Sequence, residues 1–167
     1  MKETIITRKV TINAPMSKVW GNLSDFGNIA NMSPSINKSY LTSDQQNGIG
    51  ATRHCELTTM GAQLEEKVID WVEGKSMKIS IYETKNMPML TGLEAEFSLT
   101  PDNGNTLLTG TFQYKTENYF GQLMNKFAMK KMNEKAWVGF MSGIKHHVET
   151  GEIVEKNSPI ETESVGE

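Results

Sequence analysis

The sequence predicts an α+β domain of seven strands, the last six of them antiparallel neighbours, whose apolar face is covered by one long C-terminal helix. Three observations predict it. Between Ile36 and Thr116, six β-like segments follow one another with short, turn-rich connections, the arrangement of antiparallel neighbours. A seventh such segment, Ile5 to Asn13, precedes them and is separated from them by residues at helical spacing. The helical pattern long enough to cover a sheet comes last, from about Asn118 to about Thr150.

Each element has its own signal. In the first strand Ile6, Val10 and Ile12 alternate with Thr and Lys. "APMSKVWGNLSDF" then changes period. Pro15 suits an early helical position, Val19, Trp20 and Leu23 fall at helical spacing, and the helix should end near Asp25. "GNIANMSPS" leaves room for a second short helix, closed at Ser33-Pro34 because the residue before proline avoids the α region. The six later strands are "INKSYLT", "ATRHCEL", "AQLEEKVIDWV", "SMKISIYET", "LEAEFSL" and "TLLTGTFQYKT". They are joined by "SDQQNGIG", "TTMG", "EGK", "KNMPMLTG" and "TPDNGN". Met77, Ile79 and Ile81 share one face of their strand, as do Leu93, Ala95, Phe97 and Leu99, and Leu108, Phe112 and Tyr114 with Gly110 between them. Lys78, Ser80, Glu94, Glu96 and Ser98 take the opposite face. A sheet with one wet face must bury the other. Gly151 is a plausible helix C-cap, and His146 and His147 lie near the negative end of the helix. Residues 1–150 form the expected domain, and the polar, acidic tail 151–167 is expected to be disordered.

Composition narrows the function. A chain of 167 residues with net charge −3 and scattered lysines gives no electrostatic reason to expect nucleic acid or an anionic membrane as partner. Cys55 is the only cysteine, so no internal disulfide is expected. The alternating, charged "MKETIITRKVTI" lacks the apolar run of a signal peptide, and no stretch approaches the length of a membrane span. The expectation is a soluble, cytoplasmic protein without stable membrane insertion. His146 and His147 point about 100° apart on a helix and cannot chelate one ion together. No acidic or cysteine cluster completes a site, no nucleophile–base dyad is visible, and "NGIG" lies between strands rather than before a helix. No metal and no cofactor is expected.

The stretch "VTINAPMSKVWGNLSDFGNIANMSPSI" resembles the N-terminal signature of the START-like superfamily (SRPBCC), the birch-pollen-allergen or helix-grip fold. Within it the chain most resembles the bacterial polyketide cyclase/dehydrase-type proteins, whose patterns "GIGATRHCEL", "LEEKVIDWVEG" and "GIKHHVE" also match. The likeness covers roughly residues 3 to 150. It implies a strongly bent seven-stranded sheet wrapped round the long helix, with an apolar cavity between. It does not imply one activity, because members transport lipids, bind hormones, cyclise polyketides or assist chaperones.

Candidate site residues follow from strand parity. If Thr58 to Gly61 form a hairpin loop, Leu57 lies opposite Ala62, Cys55 opposite Leu64 and Arg53 opposite Glu66. Arg53, Cys55 and Glu66 then face inward, while His54, Glu56, Gln63 and Glu65 face out. A buried carboxylate needs a partner, and an opposed guanidinium supplies one bidentately. Similar strand positions give polar groups to the ligand pocket in the superfamily's plant hormone receptors, so the pair is a candidate ligand anchor. It reads equally as a structural ion pair. Lys38 resembles a pocket lysine of those receptors, against the plainer reading of a solvated edge residue. The apolar lining should come from Met77, Ile79, Ile81, Phe97, Phe112 and Tyr114. The helix should add Met132, with Gly139 and Gly143 on one side giving close backbone approach or room for a ligand. Its apolar stripe drifts from Phe120, Leu123, Met124 and Phe127 to Trp137, Met141, Ile144 and Val148, which requires a bend or shifted contact near Met129 to Glu134. Met87 and Met89 in "KNMPML" form either a gate at the cavity mouth or a loop tucked onto the core. The functional expectation is a binding or carrier protein for a small apolar molecule such as a lipid, polyketide, quinone or aromatic metabolite. The alternative is a cyclase or dehydratase using Glu66 or Tyr114 as its acid/base group. A third reading, a protein-interaction module, rests on Trp71 facing outward with Ile69.

Overall fold

The computed structural model describes residues 2–87, 90–116, 119–124 and 128–167. Strand β1 (Lys2–Ile12) leads into helix α1 (Met16–Leu23) and a 3-10 segment, Phe26–Met32. Strands β2 (Ile36–Leu41), β3 (Thr52–Leu57), β4 (Gln63–Val72), β5 (Ser76–Lys85), β6 (Leu90–Asp102) and β7 (Asn105–Thr116) follow. The final helical region is described as α2 (Tyr119–Met124) and α3 (Lys130–Thr150), with a π turn at 128–129. The seven strands form one antiparallel sheet in the order β1-β7-β6-β5-β4-β3-β2, so a meander is closed by the first strand pairing with the last. This is the helix-grip arrangement.

The bend of the sheet has local causes. Register shifts interrupt β2–β3 between Ile36 and Lys38, β4–β5 near Glu65 and Val68, and β6–β7 between Thr91 and Glu94. Each extra residue kinks its strand and increases its twist. In the last case Gly92, at φ +55°, supplies a left-handed conformation that a residue with a Cβ resists. Strand β6 accordingly begins at Leu90, three residues earlier than alternation predicts, and runs past Pro101 to Asp102. The expected "TPDNGN" loop shrinks to a two-residue turn, because Asn103 and Gly104 both take positive φ (50° and 88°) and Asp102 pairs with Asn105. The shift at Ile36/Lys38 also settles the parity of β2. Ile36 is buried, while Lys38 is exposed, 3.8 Å from Glu56 and above the Tyr40 ring.

Helix α3 lies against the concave face. Trp137, Met141, Ile144 and Val148 are buried between it and the sheet. Phe120, Leu123 and Met124, the earlier part of the expected stripe, are exposed. Asn118, the expected helix start, and Phe127 lie outside the described residues. Gly151 caps α3 at φ +78°, its N–H donating to His147 O at 2.8 Å.

Two expectations are corrected. The acidic tail, expected to be disordered, packs on the domain. Val154 is buried and its N–H donates to Asn31 O, while Lys9 and Gly166 exchange backbone hydrogen bonds of 2.8 and 2.9 Å. Strand β1 is a sheet edge with unpaired backbone groups, and the tail satisfies some of them. Trp71 is not a free outward ring. It meets Trp20 edge-on at 4.8 Å, and the two indole N–H groups donate to the two oxygens of Glu73 at 2.7 and 2.8 Å. One carboxylate therefore ties α1 to the β4–β5 hairpin. Glu73→Ala is expected to lower stability by about 1–2 kcal/mol, since it strands two indole donors, one of them buried. Denaturant unfolding followed by tryptophan fluorescence checks this, and an unchanged midpoint would remove Glu73 as the tie.

Candidate functional site

A cavity of about 180 Å³ lies between the sheet and the N-terminal half of α3. The sheet contributes Leu57, Leu64, Ile79, Ile81, Leu93, Ala95, Phe97 and Phe112. The helix contributes Asn133, Ala136, Trp137 and Phe140, which follow the i, i+3, i+4, i+7 spacing of one helical face. Ser33, Ser35 and Ile36 close one end, and Met87 comes from the connection between β5 and β6. The aromatic wall is continuous. Trp137 and Phe140 are nearly parallel (6°) with centroids 5.3 Å apart, and Phe97 and Phe112 stack on Trp137 at 5.6 and 5.5 Å. The Trp137 indole donates to Gly110 O at 3.1 Å, so the ring's one polar atom is satisfied by backbone.

Arg53 and Glu66 are the ionisable residues of the lining, and they reach each other. The hairpin register predicted by counting from Thr58–Gly61 is the one found, with Leu57 N donating to Ala62 O, Cys55 opposite Leu64 and Arg53 opposite Glu66. Both side chains are buried. The expected bidentate pairing is replaced by a divided fork: Arg53 Nε donates to Glu66 Oε2, Nη1 donates to Phe26 O at 2.9 Å, and the guanidinium lies 4.1 Å from the centre of the Phe26 ring. The ion pair thus also anchors the 3-10 segment on the sheet.

Of the predicted site residues, Arg53, Glu66, Ile79, Ile81, Met87, Phe97 and Phe112 line the cavity. Cys55, Met77 and Tyr114 are buried outside the lining. Met132 is 63% exposed, because it sits one position from Asn133 and so points about 100° away from the cavity face. Gly139 and Gly143 face the turn after the 3-10 segment, not the cavity. A Cβ on Gly139 would meet Pro34 Cγ at 3.6 Å, and one on Gly143 would overlap Met32 O. Met89 lies outside the described residues. Sequence reasoning did not name Ser33, Ser35, Ile36, Asn133, Ala136 or Phe140 for the site, and it placed Leu57, Leu64, Leu93, Ala95 and Trp137 on apolar faces without assigning them to it. The signal for Asn133 was its place one turn before Trp137, where a polar residue interrupts an apolar face.

Cys55 lies under Glu66, its thiol directed at Oε2 from 3.6 Å. Burial pushes the thiol pKa well up, the Glu66 carboxylate adds to this, and Arg53 only partly offsets it. The thiol is neutral and inert in the fold. Cys55 is expected to resist Ellman's reagent at pH 8 in native protein and to react fully in denaturant. Rapid native labelling would contradict the buried position.

The family model described as "Polyketide cyclase / dehydrase and lipid transport" matches residues 3–149. Among solved structures, a protein from Thermus thermophilus is similar at TM-score 0.72 and 15% identity, over 87% of this chain and 97% of that one. The ginseng (Panax ginseng) major latex-like protein 151 is similar at TM-score 0.69 and 12% identity, over 90% and 98%. A protein from Nitrosospira multiformis is similar at TM-score 0.67 and 15% identity, over 89% and 98%. These likenesses establish the fold. None of the curated proteins compared matches the chain. Among the described residues no helix is long and apolar enough to cross a membrane.

Proposed function

The chain belongs to the polyketide cyclase/dehydrase and lipid transport family, and from that premise we propose that it binds or carries a small hydrophobic molecule in the cavity between sheet and helix. The observation that carries this reading is the make-up of the wall. It is mainly aliphatic and aromatic, its neutral polar residues are few, and its two ionisable residues are engaged with each other rather than held ready for proton transfer. Size favours a compact guest. An apolar cavity of about 150 Å³ accommodates benzene, so the space here suits one or two rings better than a lipid chain.

The acid/base alternative has less support. Tyr114 is fully buried and off the cavity wall, and Glu66 is held by Arg53. Native mass spectrometry of protein purified from its host tests the proposal. A co-purifying apolar adduct of small mass, displaced by a solvatochromic apolar dye, is the expected result. Protein that carries no adduct and fails to bind small aromatics or the dye would end it.

A further inference from the structure

We infer that Asn133 is the hydrogen-bond donor that seats an oxygen atom of the bound molecule, and that the cavity takes compact aromatics bearing a carbonyl or similar acceptor oxygen. This rests on the cavity being a binding site, as proposed above. Asn133 lines the cavity from α3, and its amide Nδ2 is buried with no hydrogen-bond partner among the described residues. A buried donor without an acceptor costs free energy that an apolar residue of the same shape avoids. At this position Leu would continue the face made by Ala136, Trp137 and Phe140. The amide makes chemical sense if the acceptor arrives with the ligand.

The rest of the wall fixes what carries that acceptor. Phe97, Phe112, Trp137 and Phe140 present the cavity with stacked rings, which favour a flat π-system in offset or edge contact. The Arg53 donors with described partners are committed to Glu66 and Phe26, and the Trp137 N–H is committed to Gly110. Asn133 Nδ2 is therefore a buried donor with no described partner on the helix face that carries Trp137 and Phe140, and it selects an oxygen acceptor over a plain hydrocarbon.

Acetophenone and α-methylstyrene test this, because they share ring, volume and shape and differ in C=O against C=CH2. Their dissociation constants are measured by NMR titration of ¹⁵N-labelled wild type and Asn133→Leu. The hydrocarbon should bind both proteins about equally, while the ketone should lose about fivefold or more in the variant, the worth of one neutral hydrogen bond. In wild type, the Asn133 side-chain NH2 resonances should move with acetophenone far more than with α-methylstyrene, a readout that stands if the variant does not fold. A ketone-to-hydrocarbon affinity ratio that is the same in both proteins, or equal NH2 shifts with the two probes, overturns the role of Asn133 and leaves the cavity reading intact. If neither probe binds wild type, the cavity reading fails and this inference with it.

Discussion

Arg53→Met is expected to destabilise the protein by about 3–5 kcal/mol, the usual cost of stranding one member of a buried ion pair. Glu66 would keep only the weak thiol donor of Cys55 among its described side-chain partners. Glu66→Leu should cost less, because Arg53 retains the Phe26 carbonyl and the face of the Phe26 ring. The double variant should recover much of the loss, since no unpaired charge remains and both replacements are apolar. A denaturant double-mutant cycle measures this. Single losses below about 1 kcal/mol, the range of exposed pairs, would mean that the pair is hydrated and the cavity more open than the fold implies. Binding then separates anchor from brace. If the folded double variant binds acetophenone and apolar dyes as wild type does, the pair is structural. If it loses only oxygen-bearing ligands, the guanidinium contacts them.

The sheet was legible because its evidence is local. Alternation assigns a face to each strand residue, and the Thr58–Gly61 loop fixes a register that carries Arg53 to Glu66 without knowledge of the rest of the chain. Where the expected bounds of β6 and β7 failed, the cause was a positive φ. Gly92 allowed β6 to begin early, and Asn103-Gly104 tightened the last hairpin. The helix was less legible because its partners are distant in sequence. Spacing places Gly139 and Gly143 on one side of α3, but nothing local says that the side meets Met32 and Pro34 rather than the cavity. Asn133 drew no attention in the sequence because a polar residue on a helix is ordinarily solvated, and only the fold shows that it shares a face with Trp137 and Phe140. Trp71 read as exposed because its partner, Trp20, lies far back in the chain. The tail read as disordered on composition, although Val154 and Val165 give it apolar contacts with the domain.

Gly143→Ala is expected to destabilise the protein despite improving helix propensity. In an exposed helix interior the change would gain roughly 1 kcal/mol. Here the new methyl would overlap Met32 O and come within 3.1 Å of Pro34 Cδ. Neither neighbour is the free end of a flexible side chain. One is backbone at the end of the 3-10 segment, and the other is a proline ring next to it. Relief requires moving α3 away from that segment, and overpacking of this kind costs typically about 1–3 kcal/mol. The steric term should therefore exceed the propensity gain and leave a net loss of about 1–2 kcal/mol. Gly139→Ala is the internal control. Its methyl would meet only Pro34 Cγ, at an ordinary 3.6 Å, so the propensity term should dominate and stability should hold or rise. The two glycines lie one turn apart on the same helix, so paired thermal or urea unfolding of the two variants compares them under matched conditions. A stabilising Gly143→Ala would mean that α3 does not approach Met32 so closely. The base of the cavity, where Ser33 and Ser35 meet the helix face, would then have to be redrawn with it.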